Sequence, residues 1–176
     1  MIRAIPQSKA DRDLLRKLIA KGIPTVTEQP RDYQGVAVMK PWGYEFQSYD
    51  NGHCSVWIVC LKAGQAVSMH CHQRKEAMFI PLTSSIMLRT LDVGVMVLWE
   101  GICIDKGVFH SQENNTDEDA FFMEYEWPSE KTDLVRYKDR YGRENKGYES
   151  KSEMVPLYEA AMNMPEHLRY LAERVA

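Results

Sequence analysis

The chain has 176 residues, enough to bury the hydrophobic core of one domain without disulfide or metal staples. Hydrophobic residues make up 44%, charged residues 27%, and the formal net charge is -3, as in an ordinary soluble globular protein. The 22 basic and 25 acidic residues leave none of the cationic excess that marks nucleic-acid binding. No apolar run approaches the roughly 20 residues that cross a bilayer, and the N-terminus lacks a signal-like apolar stretch. We therefore expect a cytoplasmic protein with no nucleic-acid or membrane partner.

The sequence divides into three parts, which we expect to form one domain. Residues 1–35 contain a predicted helix over residues 8–22 and a lead-in strand; Ser8 can cap this helix, and Asp11 follows at the spacing of a capping box. Residues 36–127 contain seven or more short segments rich in β-branched and aromatic residues, separated by turn signals. Residues 128–176 contain a charged strap, 129–153, which we expect to be ordered but exposed, and C-terminal helices packed on the strands.

The evenly spaced short strands of the middle part favour an all-β fold. A parallel sheet would need crossover helices, and the turns between these strands are too short to hold them. Seven or more short strands at nearly even spacing are typical of a sandwich or a barrel of the jelly-roll type. We therefore predict a jelly-roll barrel with short N-terminal and C-terminal helices.

A pair of histidines on one predicted strand indicates a metal-binding site. His70 and His72 are two residues apart, so their side chains point to the same face of the strand. An unpaired buried imidazole carries a desolvation cost, and a shared metal ion would remove it because neutral imidazole is a good metal ligand. His110, on a later strand, can lie beside them in a folded-over barrel. The alternative is a pair of structural histidines bonded to the backbone.

These residues resemble the two sequence motifs of the cupin family. Gly64, His70, His72 and Glu76 match the first motif, although Thr83 replaces its final glycine; Asp105-Lys106-Gly107, His110 and Asn114 match the second, with Asp105 in place of proline. The resemblance implies the cupin double-stranded β-helix. It also implies one divalent metal ion (zinc, iron or manganese) held by His70, His72 and His110. Glu76 either completes this set or points away from the metal, because its strand register decides its direction.

The flanking segments narrow the resemblance. Residues 40–45 (KPWGYE) and residues 133–143 (DLVRYKDRYGR) are similar to the mannose-6-phosphate isomerase-like sugar cupins associated with bacterial surface-polysaccharide biosynthesis. The similarity covers roughly residues 38–149. Those isomerases carry glutamine at the position of His70 and their conserved glutamate at the position of Ala77.

A three-histidine site, with or without one carboxylate, leaves coordination positions open, which is a catalytic arrangement. The resemblance implies an enzyme of the isomerase or epimerase type acting on a sugar phosphate or nucleotide sugar, in which a metal polarises an oxygen and a base moves a proton. Glu76 and Tyr125 are the candidate bases. The candidate substrate-binding cations are Arg74, Lys75, Arg89 and Arg136.

Two other functions stay open at this point. One is an iron-dependent dioxygenase of a small molecule, since histidines with open metal positions also suit oxygen activation. The other is a non-catalytic sugar-binding cupin, because the fold serves many functions. We also expect a homodimer, since barrels of this kind often pair through edge strands.

Overall fold

The computed structural model describes residues 3–24, 32–83, 86–98, 100–144 and 153–174. Strands dominate this part of the chain, and the three helices are short. The elements are β1 (Arg3–Ile5), α1 (Lys9–Ala20), β2 (Val36–Lys40), β3 (Gly43–Asp50), β4 (Ser55–Leu61), β5 (Met69–Cys71), β6 (Glu76–Pro81), β7 (Ile86–Thr90), β8 (Val95–Leu98), β9 (Ile102–Ile104), β10 (His110–Glu113), β11 (Ala120–Trp127), β12 (Val135–Lys138), β13 (Met154–Pro156), α2 (Leu157–Ala161) and α3 (Glu166–Glu173).

The strands form two facing sheets. The larger has the order β1-β9-β6-β11-β4-β3-β2-β13, and the smaller has the order β12-β5-β10-β7-β8. Among the described strands, β1 and β9 make the only parallel pair. Chain neighbours such as β5 and β6 lie in different sheets, which is how a jelly roll folds over on itself. The predictions of an all-β jelly roll and of short terminal helices are confirmed.

The alternation of side chains along a strand decides which of them point into the barrel. In β11, Phe122 packs into the core between the two sheets, whereas Phe121 and Met123 face the opposite way. That outer face is covered by the C-terminal helices through side chains such as Leu157 and Leu168. The period of two in a strand therefore gives β11 two buried faces, one inside the barrel and one under the helices.

The N-terminal helix covers the outer face of the smaller sheet. Its predicted capping box is present: Asp11 N–H donates to Ser8 Oγ, and Ser8 N–H donates to the Asp11 carboxylate. Leu18 packs on a cluster that includes Cys71 and Phe109. Asp11 also accepts a hydrogen bond from Phe109 N–H at 2.9 Å, so the helix cap is tied to the start of β10. In the described part of the chain, no helix is both long and apolar enough to cross a membrane.

The prediction of an exposed strap is wrong for its central part. Residues 132–136 are buried, and β12 pairs with β5 of the smaller sheet, where Arg136 stands opposite His70. Leu134 and Val135 give this charged segment the apolar residues that it buries. Residues 145–152 of the strap lie outside the described residues. Residues 132–138 are therefore a component of the barrel wall.

Gly43 at the start of β3 is required by a close backbone approach. Its φ is +146°, and a Cβ placed there would lie 2.1 Å from the carbonyl oxygen of Cys60 on the neighbouring β4. A side chain would therefore force the β3–β4 pairing apart as well as strain the backbone. Gly52 has φ +79° in an open turn, where a Cβ would meet nothing within 4 Å.

We predict that Gly43→Ala lowers the free energy of unfolding by about 2–4 kcal/mol, combining backbone strain with overpacking. Gly52→Ala serves as the matched control, because it carries only the left-handed strain of about 1 kcal/mol. Urea unfolding followed by circular dichroism measures both. Equal losses in the two variants would contradict the assigned role of the close approach.

Candidate metal centre

Three histidines meet inside the barrel. His70 lies on β5, His72 follows that strand directly, and His110 begins β10, where it stands opposite His70 in the antiparallel register. All three are buried, and their candidate ligand atoms lie within 4.8 Å of one another. The spacing of two residues on β5 and the pairing of β5 with β10 thus bring together the three residues that the sequence singled out.

The hydrogen bonds of the three rings determine which nitrogen faces the cavity. Nδ1 of His70 contacts the Ser68 carbonyl at 2.8 Å, Nδ1 of His110 contacts the Val108 carbonyl at 2.9 Å, and Nδ1 of His72 contacts the Asp133 carbonyl. A carbonyl oxygen only accepts hydrogen bonds, so we assign the ring proton to Nδ1 in each case. The Nε2 atoms are then left with bare lone pairs.

Two of those three lone pairs have no hydrogen-bond partner within the described protein. Nε2 of His72 and Nε2 of His110 are buried and make no hydrogen bond. They cannot bond to each other, because neither carries a proton. A buried polar atom without a partner costs about 1–3 kcal/mol, so this arrangement calls for an electrophile at the meeting point.

Burial also keeps the rings neutral. It lowers the pKa of His110 to about 4 and holds the pKa values of His70 and His72 well below the usual 6.5, with the neighbouring cations and rings adding to the effect. Neutral imidazole is the form that ligates metals, and a carbonyl at Nδ1 is the usual orienting partner of a metal-bound histidine. The three histidines are therefore able to hold a divalent metal ion.

A carboxylate that the sequence analysis missed lies beside this group. Glu124 projects inward from β11, and its Oε1 is 3.9 Å from Nε2 of His72. Burial raises the pKa of Glu124 to about 7, although the Lys131 ammonium, 3.9 Å from Oε2, opposes that rise. Its carboxyl group can therefore both accept and release a proton near neutral pH.

The cavity next to the histidines has a volume of about 50 Å³ and a charged lining. Lys75 Nζ donates to Glu126, and Lys131 Nζ lies 3.1 Å from Glu45 and 3.6 Å from Glu126. Lys131 also packs over the Trp57 ring, 3.9 Å from its centroid. The sequence carried one signal for these acids, since Phe122, Glu124 and Glu126 alternate along β11 and so share the inward face.

Gln112 supplies a further polar group that sequence reasoning missed. It lies two residues after His110 on β10, so it shares the inward face and lines the cavity. Its side-chain nitrogen is buried and has no hydrogen-bond partner within the protein. A ligand oxygen in the cavity would satisfy this donor.

The structure does not bring Glu76 to the histidines. Trp127 Nε1–H donates to Glu76 Oε2 at 2.9 Å, Lys106 Nζ lies 3.8 Å from Oε1, and about a third of the Glu76 side chain is exposed. The next residue, Ala77, packs into the barrel core instead. Glu76 thus points out of the barrel, and this register corrects its assignment as a ligand and as a base.

Tyr125 also lies on the outer side of the barrel. It alternates with the inward Glu124 and Glu126, and its ring packs against that of Trp127 with centroids 5.3 Å apart. The alternation along β11 therefore corrects its assignment as a base. Of the two carboxylates on the inner face of this strand, Glu124 is the one near a histidine nitrogen.

The four cations predicted to bind substrate fall into two groups. Lys75 and Arg136 are buried and line the cavity. Arg74 instead pairs with Glu130 and Asp133, with 39% of its side chain exposed. Arg89 pairs with Glu113 in a separate groove of about 720 Å³ on the outer face of the smaller sheet. The structure therefore keeps two of the four near the histidines.

No protein-family model matches the chain, and no curated protein matches it. Several solved structures are similar to it. One is CapF from Staphylococcus aureus, a capsular polysaccharide assembling protein: the superposition covers 76% of this chain and 43% of the CapF chain, with a TM-score of 0.52 and 16% identity. The chain has the cupin fold.

Two other similar structures are shorter matches. A sugar phosphate isomerase of the cupin superfamily from Silicibacter pomeroyi covers 57% of this chain and 75% of its own, at 17% identity and a TM-score of 0.47. An uncharacterized protein with a double-stranded β-helix domain from Klebsiella pneumoniae covers 57% and 82%, at 13% identity and a TM-score of 0.45. At such identities the likeness is one of fold alone.

We predict that the protein, purified without a metal-affinity tag, takes up about one divalent metal ion per chain, and that a His70→Ala/His110→Ala variant does not. At a free metal concentration of 100 times the dissociation constant, binding should stabilise the wild type by about 2.7 kcal/mol. Mass spectrometry of bound metals and thermal unfolding with and without chelator measure both effects.

His53→Ala is the matched control, because His53 is exposed between β3 and β4 and does not belong to the group of three histidines. This variant should bind metal as the wild type does. Circular dichroism checks that the double variant is folded. A wild type that takes up no metal from solution would show that the three histidines serve only the structure.

Proposed function

We propose that this cupin is a metal-dependent enzyme of the isomerase or epimerase type, acting on a sugar phosphate or nucleotide sugar in surface-polysaccharide biosynthesis. The observation that carries the proposal is the position of Glu124. Its carboxyl oxygen lies 3.9 Å from Nε2 of His72 beside the cavity that both residues line, and burial raises the pKa of Glu124 to about 7. A base beside a metal-polarised oxygen is what proton transfer between neighbouring carbons requires.

The residues of the chain divide the chemistry between them. A divalent ion held by the three histidines would polarise a carbonyl or hydroxyl oxygen of the substrate. Glu124 takes the proton from the carbon next to the substrate carbonyl; the electron pair of the broken C–H bond forms a carbon–carbon double bond, and the π pair of the carbonyl moves onto its oxygen. In an isomerisation, the hydroxyl proton of the deprotonated carbon moves to that oxygen and Glu124 returns its proton to the former carbonyl carbon, which leaves the carbonyl one carbon along. In an epimerisation, Glu124 returns its proton to the same carbon after the planar intermediate has turned its other face toward Glu124. The net reaction needs no oxidant, reductant or co-reactant.

Substrate recognition would use the other groups of the cavity. Gln112 donates its unpartnered amide N–H to a substrate oxygen, which fixes the orientation of the sugar. Lys75 and Arg136 line the same space and suit an anionic substrate such as a sugar phosphate. The sequence similarity of residues 40–45 and 133–143 to sugar cupins supports a place in surface-polysaccharide biosynthesis. CapF, whose fold this chain shares, is itself a capsular polysaccharide assembling protein.

The volume of the cavity limits what enters it in the present conformation. A water molecule needs roughly 10–15 Å³ on the same scale, so about 50 Å³ holds about four waters. A whole pyranose ring is larger than that. The reacting carbon and its oxygens would enter first, and the side chains of the strap at the cavity wall would move aside for the rest.

Proton exchange tests this function without knowledge of the product. We predict that zinc- or manganese-loaded protein incubated in ²H₂O with a panel of sugar phosphates and nucleotide sugars places one deuterium on carbon in at least one of them. Mass spectrometry detects this gain of one mass unit. Glu124→Gln should slow the incorporation at least about 100-fold, the lower end of a general base contribution, while the bound metal is retained.

Glu118→Gln is the matched control, since Glu118 is an exposed acid in the loop before β11. It should exchange deuterium at the wild-type rate. Binding of a sugar phosphate without exchange would identify a non-catalytic sugar-binding cupin. Oxygen consumption by iron-loaded protein, with no exchange in any sugar, would identify a dioxygenase. Either result overturns the isomerase proposal.

A further inference from the structure

Asp133 joins two parts of the molecule that are far apart in sequence. It lies in the strap, is fully buried, and accepts hydrogen bonds through both its backbone carbonyl and its side-chain carboxylate. Its carbonyl oxygen accepts from Nδ1 of His72, 61 residues away. Its carboxylate accepts from three successive backbone N–H groups, those of Gln73 (3.1 Å), Arg74 (2.7 Å) and Lys75 (3.1 Å).

The three N–H groups explain how a carboxylate is tolerated at this depth. A buried charge is costly unless hydrogen bonds compensate it, and successive backbone N–H groups form a concave anion site that does so. This site follows His72 directly in the chain. The Asp133 side chain therefore fixes the backbone after the metal-binding strand, while its carbonyl fixes the ring of His72.

The same segment of the strap forms the wall of the cavity. Leu134 and Arg136 line it, and Arg136 stands opposite His70 on the neighbouring strand, with its Nε donating to Ser68 Oγ at 3.1 Å. His70 and His110 take their orienting carbonyls from positions two residues upstream in their own segments. His72 alone among the three takes its carbonyl from the strap.

We propose that Asp133 is a positioning residue through which the metal centre and the strap stabilise each other, so that metal binding holds the wall of the substrate cavity in place. The inference rests on the proposed metal centre. When the strap is docked, the Asp133 carbonyl holds His72 with Nε2 toward the metal. By linkage, a metal bound to His72 stabilises the docked strap by the same free energy.

The test uses Co²⁺, whose visible absorption reports the geometry of its ligands. Asp133→Asn keeps the size of the side chain and replaces one of its two accepting oxygens with a donor, which cannot pair with the N–H groups of loop 73–75. We expect this variant to bind Co²⁺ about 10- to 100-fold more weakly, the range found for groups that orient metal ligands. We also expect an altered Co²⁺ spectrum, which a general loss of stability would not produce.

Asp139→Asn is the matched control. Asp139 is another buried carboxylate of the strap; it accepts from Tyr141 N–H at 3.0 Å and Arg143 N–H at 2.9 Å and pairs with the Arg143 guanidinium, but it contacts no histidine. This variant should lose stability and keep the Co²⁺ affinity and spectrum of the wild type. Equal effects of the two substitutions on Co²⁺ binding would overturn the specific role of Asp133.

Hydrogen exchange of the wild-type protein gives a second readout, which does not depend on how well a variant folds. Zinc should slow amide exchange in strap residues 133–138 and leave β13 and α3 unchanged. Metal binding without any slowing in the strap would overturn the coupling and leave the metal centre intact. A wild type that binds no metal would instead overturn the metal centre on which the inference rests, so the two failures are distinguishable.

Discussion

Three hydrogen bonds from histidine Nδ1 atoms to backbone carbonyls determine what the interior of this barrel can do. Each one places the ring proton on the outer side and leaves a bare Nε2 lone pair on the inner side. Without the carbonyls the rings could turn or exchange their protons, and the meeting of three lone pairs would be lost. The depth of the site strengthens the arrangement, because burial disfavours the charged imidazolium and keeps the lone pairs available.

The buried charged residues around the three histidines are explained by a role in the metal centre rather than by stability. Lys75, Lys131, Glu45, Glu124 and Glu126 are buried in the barrel, where apolar side chains of similar volume would often be as stable or more so. They persist as a paired network, with Lys131 within 4 Å of all three acids. Removing one partner would leave a buried charge without compensation, so the network also holds Glu124 at a defined distance from His72.

Sequence reasoning reached the features that depend on local periodicity. The spacing of His70 and His72 on one strand, the capping box at Ser8 and the short strands between turns are all properties of neighbouring residues, and all are present. Glu76 was misplaced because motif spacing does not specify register, and a shift of one residue turns a side chain out of the barrel. At this position the inward residue is Ala77.

The features that sequence reasoning missed depend on contacts between distant segments. The alternation along β11 places Glu124 on the same face as Phe122 and Glu126, but which face of this largely apolar and aromatic strand points inward follows from the pairing of β11 with β4 and β6. The strap has a charged sequence with few apolar residues, yet residues 132–136, which include the apolar Leu134 and Val135, are buried where β12 adds to β5. Its contact with His72 spans 61 residues and leaves no trace in local pattern.

The strap also sets how a substrate larger than the cavity would enter. Asp133 is completely buried and bonded to both His72 and the loop after it, so moving its backbone would disturb the metal ligands. Leu134 and Arg143 line the same cavity, and 8% and 9% of their respective surfaces are exposed to solvent. They therefore lie nearer the protein surface than Asp133 does. Rotation of such side chains takes place on a far shorter timescale than displacement of a paired strand. Access through the side chains of the strap, with its backbone held at Asp133, therefore allows substrate exchange without loss of the metal geometry.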